Sequence, residues 1–196
     1  MSEERYAIEC KGITKSFGSV VANDHVDLKV KRGEILALLG ENGSGKTTLM
    51  NMLSGIYHPD EGTIFINGKE TIINSPTDAD ALGIGMIHQH FKLVEVHNAM
   101  DNIILGGKEK YFNRKELRNK ILSISEKFGL EVEPEKKVYD MSVSEKQTLE
   151  IMKVLYRGAD ILILDEPTAV LTPQETQRLF AILRKMRAEG SAIKIF

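Results

Sequence analysis

Short apolar runs alternate with amphipathic stretches along this chain, and the alternation is typical of an α/β fold. Strands are predicted at residues 6–11, 26–30, 34–39, 63–66, 84–87, 161–164 and 192–196. The runs at 34–39 and 161–164 are almost wholly apolar, which predicts strands covered on both faces of a sheet.

Turn and cap residues mark where several of these elements begin or end. Asn67-Gly68 predicts a type I′ hairpin, because both of its central positions need positive φ. Ser75-Pro76 predicts the start of a short helix, with Ser75 as the cap and Pro76 at the first position. Thr172-Pro173 predicts the start of a longer helix, which is expected to end at Gly190.

The middle of the chain, residues 98–157, has a helical rather than an alternating pattern. One predicted helix face carries Leu117, Ile121, Ile124 and Phe128. A second carries Leu149, Met152 and Tyr156. We therefore expect this segment to be a helical insertion in an otherwise α/β chain.

Composition narrows the class of protein. The chain has 196 residues, of which 42% are apolar and 28% charged, as in globular domains, so disorder is not expected. The net charge of -2 argues against a nucleic-acid partner. Cys10 is the single cysteine, so no internal disulfide is expected, and a buried strand position suits it. No apolar run reaches the 18 residues that a membrane-spanning helix needs.

A glycine-rich loop carries the first chemical signal. Residues 40–47 match the pattern G-x-x-x-x-G-K-[ST], directly after an apolar strand and directly before a helical pattern. Glycines let backbone N–H groups surround a phosphate, and the helix N-terminus adds its dipole. Lys46 would neutralise the β- and γ-phosphates, Thr47 would bind Mg²⁺, and Thr48 would reach the α-phosphate. An ordinary glycine-rich turn is the alternative. The remaining expected nucleotide contacts are Gly40, Glu41, Asn42, Gly43, Ser44 and Gly45.

Two carboxylates follow the apolar run at 161–164. At the carboxyl end of a parallel strand, Asp165 and Glu166 would lie in the ligand crevice beside the phosphate loop. Asp165 would hold Mg²⁺, and Glu166 would polarise the attacking water. An exposed acidic turn is the alternative reading of this pair alone. Together with the loop at 40–47, the pair predicts a P-loop nucleotide hydrolase or kinase.

Further segments narrow this class. Residues 141–145 (MSVSE) stand where the Leu-Ser-Gly-Gly-Gln signature of one family would stand, and residues 169–172 match its D-loop. Gln89 matches its Q-loop glutamine, and Phe17 lies 29 residues before Lys46, where the family places a ring that stacks on adenine. The chain thus resembles the nucleotide-binding domain of ATP-binding-cassette (ABC) transporters.

This resemblance implies a fold and a set of roles. The fold would be a P-loop NTPase with a mostly parallel core sheet, an antiparallel β subdomain and a helical subdomain. The core with its β subdomain would take residues 1–97 and 158–196, and the helical subdomain residues 98–157. It also implies that the domain binds ATP with Mg²⁺ and that adenine stacks on Phe17. Catalysis would involve Glu166, Gln89 and Lys46, and the metal would be bound by Thr47, Gln89 and Asp165. Ser142 and Ser144 would contact the ATP of a partner domain.

The chain departs from the family at the signature and at its end. Val143 and Ser144 replace the two signature glycines, and Glu145 replaces the glutamine. A side chain at position 144 would hinder close approach to a phosphate. A switch histidine would follow the last strand in the family, whereas the final histidine here is His97. The resemblance therefore predicts a C-terminally incomplete domain that binds Mg-ATP and hydrolyses it slowly.

Three segments, residues 87–94, 156–160 and 165–175, are most similar to the N-terminal half of tandem ATP-binding proteins of bacterial sugar or nucleoside importers. The resemblance implies a second nucleotide-binding domain in the same full-length polypeptide, transmembrane permease subunits and, indirectly, a solute-binding protein. It also implies peripheral attachment to the cytoplasmic face of the bacterial cell membrane. Three alternatives stay open: a non-transport ABC ATPase of repair or translation, a small-molecule P-loop kinase, and a nucleotide-sensing domain with a dead site.

Overall fold

The computed structural model describes residues 6–38, 40–41, 43–88, 91–107, 113–169 and 171–195. The predicted site residues Asn42 and Gln89 lie outside this described part. The strands are β1 (Tyr6–Phe17), β2 (Val20–Lys31), β3 (Ile35–Ala37), β4 (Glu61–Ile66), β5 (Lys69–Thr71), β6 (Ile84–Ile87), β7 (Ile161–Leu164) and β8 (Ala192–Ile195). The α-helices are α1 (Lys46–Leu53), α2 (Pro76–Ala81), α3 (Ala99–Ile104), α4 (Arg114–Phe128), α5 (Val143–Tyr156) and α6 (Pro173–Ala188).

An antiparallel sheet with the strand order β2-β1-β4-β5 contains most of the N-terminal third. Strands β1 and β2 are both 12 residues long, and β1 extends well beyond the predicted 6–11. The β4–β5 hairpin turns at Asn67 (φ 52°) and Gly68 (φ 77°), so the predicted primed turn is confirmed. Cys10 is fully buried in β1, as predicted.

A parallel sheet with the order β3-β8-β7-β6 forms the second layer. All four residues of β7 are buried, as the apolar run predicted. The predicted strand at 34–39 is shorter and less buried than expected within the described residues. Strand β3 covers Ile35–Ala37; Ile35 packs against one core and Leu36 against the other, as predicted for two covered faces, but the side chains are half-buried or exposed. Within the described residues β3 pairs only with β8, so it lies at the edge of the sheet, where its side chains are less enclosed than those of the inner strand β7.

The elements between β6 and β7 are helical in the part that the structure describes. Asn98 and Asn113 cap α3 and α4, respectively, each accepting a backbone N–H within the first turn. In α4 the predicted face is confirmed, with Leu117, Ile121 and Phe128 buried. The helix ends at Gly129, whose φ of 70° is the left-handed conformation that favours glycine.

Two hydrophobic cores lie on opposite sides of the parallel sheet. Leu162 and Leu164 of β7 pack into the core formed with α3–α6, whereas Ile161 and Ile163 pack into the core shared by α1 and the antiparallel sheet. Side chains alternate along a strand, so β7 joins the two cores. Among the described residues, no helix is long and apolar enough to cross a membrane.

Candidate functional site

The glycine-rich loop leads from β3 into α1, which begins at Lys46. Gly45 is the residue before the helix and has a φ of 83°, in the left-handed region. A Cβ there would collide with the carbonyl oxygen of Ala22, so the position excludes every other residue. Gly43 also has a positive φ, of 84°, which an L side chain rarely adopts. The local fold therefore requires the motif glycine Gly45 and favours a glycine at position 43 as well.

The Lys46 side chain bends back over this loop. Its Nζ donates hydrogen bonds to the carbonyl oxygens of Gly40 (2.6 Å) and Glu41 (2.8 Å) and to Ser44 Oγ (3.3 Å). An ammonium has three donors, so the loop itself satisfies all of them. Gly40, Glu41, Gly43, Ser44 and Thr47 are exposed, and Lys46 is half-buried. The cation is thus held at the mouth of a solvent-accessible loop.

Asn23 of β2 braces the same loop from behind. Its Nδ2 donates to the Gly45 carbonyl at 3.3 Å, and only 6% of the residue is exposed. Its buried Oδ1 has no hydrogen-bond partner in the described part of the chain. The sequence carried no motif that singles out this residue, because its role depends on β2 packing against α1.

The acidic pair lies at the same edge of the sheet as the loop. Strands β3 and β7 are parallel members of one sheet, so their carboxyl ends point in one direction. Asp165 is half-buried and Glu166 exposed, and Glu166 has a φ of 44°. Burial raises the pKa of Asp165, the Glu166 charge raises it further, and the Lys46 charge lowers it. Glu166 and Lys46 therefore lie close enough to Asp165 for their charges to act on it.

Oxygen ligands suitable for Mg²⁺ are present at this edge. Thr47 offers a hydroxyl and Asp165 a carboxylate, and Mg²⁺ in phosphate-binding sites takes one or two such ligands together with phosphate oxygens and water. No cluster of three or more His, Cys, Asp or Glu side chains that could hold a metal occurs among the described residues. The donor set thus fits a metal that arrives with a phosphate ligand rather than a closed protein cage.

The segment after Gln89 is anchored to α5. The backbone N of Lys92 donates to Glu150 Oε1 at 2.8 Å, and Lys153 Nζ donates to the Lys92 carbonyl at 2.9 Å. Glu150 is 7% exposed, and burial lowers the pKa of Lys153. Sequence reasoning missed the pair of Glu150 and Lys153, whose charged atoms lie 3.5 Å apart. Two opposite charges three residues apart on a helix otherwise rich in apolar residues are a recognisable signal.

The serines of the signature segment lie at the start of α5. Ser142 caps the helix, and its Oγ accepts the backbone N–H of Glu145 at 3.3 Å while the Glu145 carboxylate accepts the Ser142 N–H at 2.8 Å. Lys136 Nζ binds the other carboxylate oxygen at 2.6 Å, and this bond, together with that from Ser142, holds the pKa of Glu145 below its ordinary value. The glutamate that replaces the signature glutamine thus has a structural role here.

Ser142 and Ser144 line a cleft of about 470 Å³ between the end of α4, the first half of α5 and one side of α6. None of the described residues of the loop at 40–47 lines this cleft. The structure therefore brings the loop to the sheet edge that carries Asp165 and Glu166, and it leaves the signature serines in a cleft that the described loop residues do not line. The exposed loop is therefore accessible to a second protein surface.

Phe17 lies at the end of β1, at the tip of the hairpin with β2, and 44% of it is exposed. Its ring contacts that of Tyr57, with centroids 5.2 Å apart and an interplanar angle of 69°. This edge-to-face arrangement is one that aromatic pairs favour. A planar ligand can therefore reach an aromatic surface that a neighbouring ring holds in place.

Solved structures place this architecture among the ATP-binding cassettes. It superposes on cbiO1 from Clostridium perfringens, part of the ABC transporter complex cbiONQ, with a TM-score of 0.84 and 27% identity, over 98% of this chain and 78% of that chain. It also matches the ADP conformation of MJ1267, an ATP-binding cassette of an ABC transporter, with a TM-score of 0.87 over 97% of this chain and 80% of that chain; at 24% identity this likeness concerns the fold.

The sequence comparisons identify the family. The family described as ABC transporter matches residues 23–169, so this chain belongs to the ABC transporter family. It is 52% identical to the guanosine import ATP-binding protein NupO of Bacillus subtilis over 191 residues, 96% of this chain and 38% of that protein. It is 44% identical to the ribose import ATP-binding protein RbsA of Caldanaerobacter subterraneus, over 95% of this chain and 38% of that protein. The chain thus spans less than two fifths of these relatives.

Proposed function

We propose that this chain is a nucleotide-binding domain that binds Mg-ATP and hydrolyses it to power an importer. The observation that carries the proposal is the Lys46 ammonium held over a glycine-turned loop, at the sheet edge where Asp165 and Glu166 also lie. A cation on a glycine-rich loop that leads into a helix N-terminus suits a polyphosphate, and two carboxylates at the same sheet edge suit a metal and a water.

Each side chain then has a defined task. Lys46 exchanges its bonds to the loop carbonyls for bonds to the β- and γ-phosphates, and Thr48 and the loop backbone hold the rest of the chain of phosphates. Thr47 and Asp165, together with Gln89, would hold Mg²⁺, which supplies charge neutralisation at the γ-phosphate when bound. Glu166 orients and polarises the attacking water. Phe17 stacks on the adenine ring.

Completion of the site requires a second domain. The loop residues are exposed, and the signature serines lie in a separate cleft, so a head-to-tail pair of domains would place Ser142 and Ser144 of one on the ATP of the other. The expected partner domain lies in the same full-length polypeptide. We also propose the division into a core with a β subdomain (1–97 and 158–196) and a helical subdomain (98–157).

The transported solute is proposed from the relatives' names. Two proteins at 52% identity are called guanosine and nucleoside import ATP-binding proteins, whereas the ribose import protein is 44% identical. A nucleoside importer is therefore the favoured system. Its permease would span the membrane, with this chain attached peripherally at the cytoplasmic face, and a solute-binding protein would deliver the nucleoside.

The site assignment is tested by equilibrium binding of Mg-ATP to wild type, Lys46→Ala and Lys69→Ala. Lys69 lies on the exposed β4–β5 hairpin and serves as the matched control. Lys46→Ala is expected to lose about 2–3 kcal/mol of binding free energy, since bonds to a charged group are worth that much. Unchanged affinity in Lys46→Ala would rule out the assignment. Co-purification of the full-length protein with a nucleoside permease tests the importer role.

A further inference from the structure

The hairpin tip that carries Phe17 is fastened to the segment after α1 by one carboxylate. Lys15 Nζ donates to Asp60 Oδ1 at 2.6 Å, and the backbone N of Ser16 donates to Asp60 Oδ2 at 2.7 Å. The Asp60 backbone N in turn donates to the Thr14 carbonyl at 2.8 Å. The bonds to Lys15 and Ser16 lower the pKa of Asp60, so the carboxylate stays charged at neutral pH. Asp60 thus fixes the position of the three residues immediately before Phe17.

The Phe17 ring itself is held from two directions. The Tyr57 ring meets it at 69° with a centroid separation of 5.2 Å, and Lys15 Nζ lies 5.6 Å from its centroid. Both geometries are favourable for aromatic and cation–π contacts. These contacts leave 44% of Phe17 exposed, so the ring is restrained while part of its surface remains accessible.

The segment that carries Tyr57 and Asp60, residues 54–60, directly follows α1, the helix that begins at the phosphate loop. The backbone N–H groups of Ile56 and Tyr57 donate to the Asn51 carbonyl at 2.8 Å and 3.1 Å, respectively, which ties the segment to the last turn of α1. That helix has eight residues and begins at Lys46. An α-helix of this length spans about 12 Å. Tyr57 therefore has a set position relative to the loop at 40–47.

We propose that Tyr57 and Asp60 are positioning residues for the nucleotide base: they hold the Phe17 ring at a set place relative to the phosphate loop, so that adenine stacks on it when the phosphates are bound. The inference rests on the proposed stacking role of Phe17. It adds a structural connection between the two parts of the nucleotide site. The helix α1 carries the phosphate site at its start, and Tyr57 and Asp60, beyond its end, hold the base site.

Two ligands separate this role from general support of the fold. Dissociation constants are measured for Mg-ATP and for Mg-tripolyphosphate, which has the phosphates but no base, in the full-length protein. The ratio of the two constants reports the contribution of adenosine. The variants are Phe17→Ala, Tyr57→Ala, Tyr57→Phe and Asp60→Ala, with the exposed Asp140→Ala as the control for loss of a carboxylate.

Tyr57→Ala and Asp60→Ala are expected to weaken Mg-ATP binding about three- to tenfold, the range that one aromatic contact supplies, and to leave tripolyphosphate binding unchanged. Tyr57→Phe retains the ring contact and is expected to restore wild-type affinity. If Phe17→Ala weakens ATP binding alone while Tyr57→Ala and Asp60→Ala do not, only the positioning role is overturned. Equal weakening of both ligands overturns it too, since that result marks damage to the loop. If Phe17→Ala itself has no effect, the stacking role fails first.

Discussion

Gln147 Nε2 donates a 2.7 Å hydrogen bond to the Pro167 carbonyl, and both residues are buried. Gln147 lies in the second turn of α5, three residues after Ser144 and five after Ser142, which caps the helix. Pro167 immediately follows Glu166. This bond ties the signature helix to the turn that carries the proposed catalytic carboxylate, across 20 residues of sequence.

Gln147→Ala is expected to destabilise the protein by about 1–3 kcal/mol, because it leaves the buried Pro167 carbonyl without this donor. The measurement is urea unfolding of wild type and variant. Gln177→Ala, on the exposed face of α6, is the matched control and should change stability by less than about 0.5 kcal/mol. Equal effects of the two substitutions would contradict a special role for the bond.

Gly45→Ala should cost more stability than Gly68→Ala, although both glycines have positive φ. The left-handed conformation alone costs an alanine about 1–2 kcal/mol, and a Cβ at Gly68 meets no described atom within 4 Å. At Gly45 the added Cβ also collides with the Ala22 carbonyl. Thermal unfolding checks the order, and Mg-ATP binding should be lost only in Gly45→Ala. A smaller cost at Gly45 would show that the loop can relax.

Asp165→Asn should stabilise the protein at neutral pH in buffer without Mg²⁺ or nucleotide. The pKa of Asp165 is raised in the fold by burial and by the Glu166 charge, so the folded state disfavours the carboxylate. That penalty is absent below the ordinary pKa of 3.8 and fully present above the raised value, so stability falls as pH rises through this window.

The difference in melting temperature between Asp165→Asn and wild type should therefore shrink as the pH is lowered towards 4. Asp140→Asn, an exposed carboxylate changed in the same way, controls for net charge. A variant less stable than wild type at pH 7 would contradict the argument. The same substitution is expected to abolish Mg²⁺-dependent tightening of ATP binding.

Glu145→Gln, which restores the family's signature residue, should cost about 1 kcal/mol or less near neutral pH. The amide keeps an acceptor for the Ser142 N–H but loses the charge that binds Lys136, and the carboxylate is partly exposed. The pKa of Glu145 is lowered in the fold, so its contribution is present above the ordinary value of 4.5 and is lost as pH falls through the lowered one. The melting temperatures of wild type and Glu145→Gln, measured from pH 3 to 7, should converge at the acid end. A constant difference between them would refute this assignment.

Glu166→Gln should retain Mg-ATP binding, but its rate of phosphate release should fall by about 10²–10⁴-fold, the usual contribution of a general base. Steady-state phosphate release by the full-length protein is the measurement. Glu126→Gln, an exposed carboxylate on α4, is the control and should turn over normally. Undiminished release in Glu166→Gln would assign the water-activating role to another group.

Much of the fold could be predicted from local pattern. The Asn67-Gly68 hairpin, the Ser75 and Thr172 caps and the buried face of α4 depend on residues close in sequence, and the structure confirms each of them. The strand at 34–39 is shorter and less buried than predicted, because an apolar run does not show whether its strand lies in the middle or at the edge of the sheet.

The glycine-rich loop and the acidic pair at the end of β7 could be recognised without coordinates, because each is a contiguous signal, and the family followed from them and from the order and spacing of the further motifs. The distant groups that support these motifs became visible through the three-dimensional packing. Asn23 against Gly45, Gln147 against Pro167, and Asp60 against Lys15 are contacts between elements far apart along the chain. Each depends on how two surfaces pack, and periodicity within one segment carries no record of its partner.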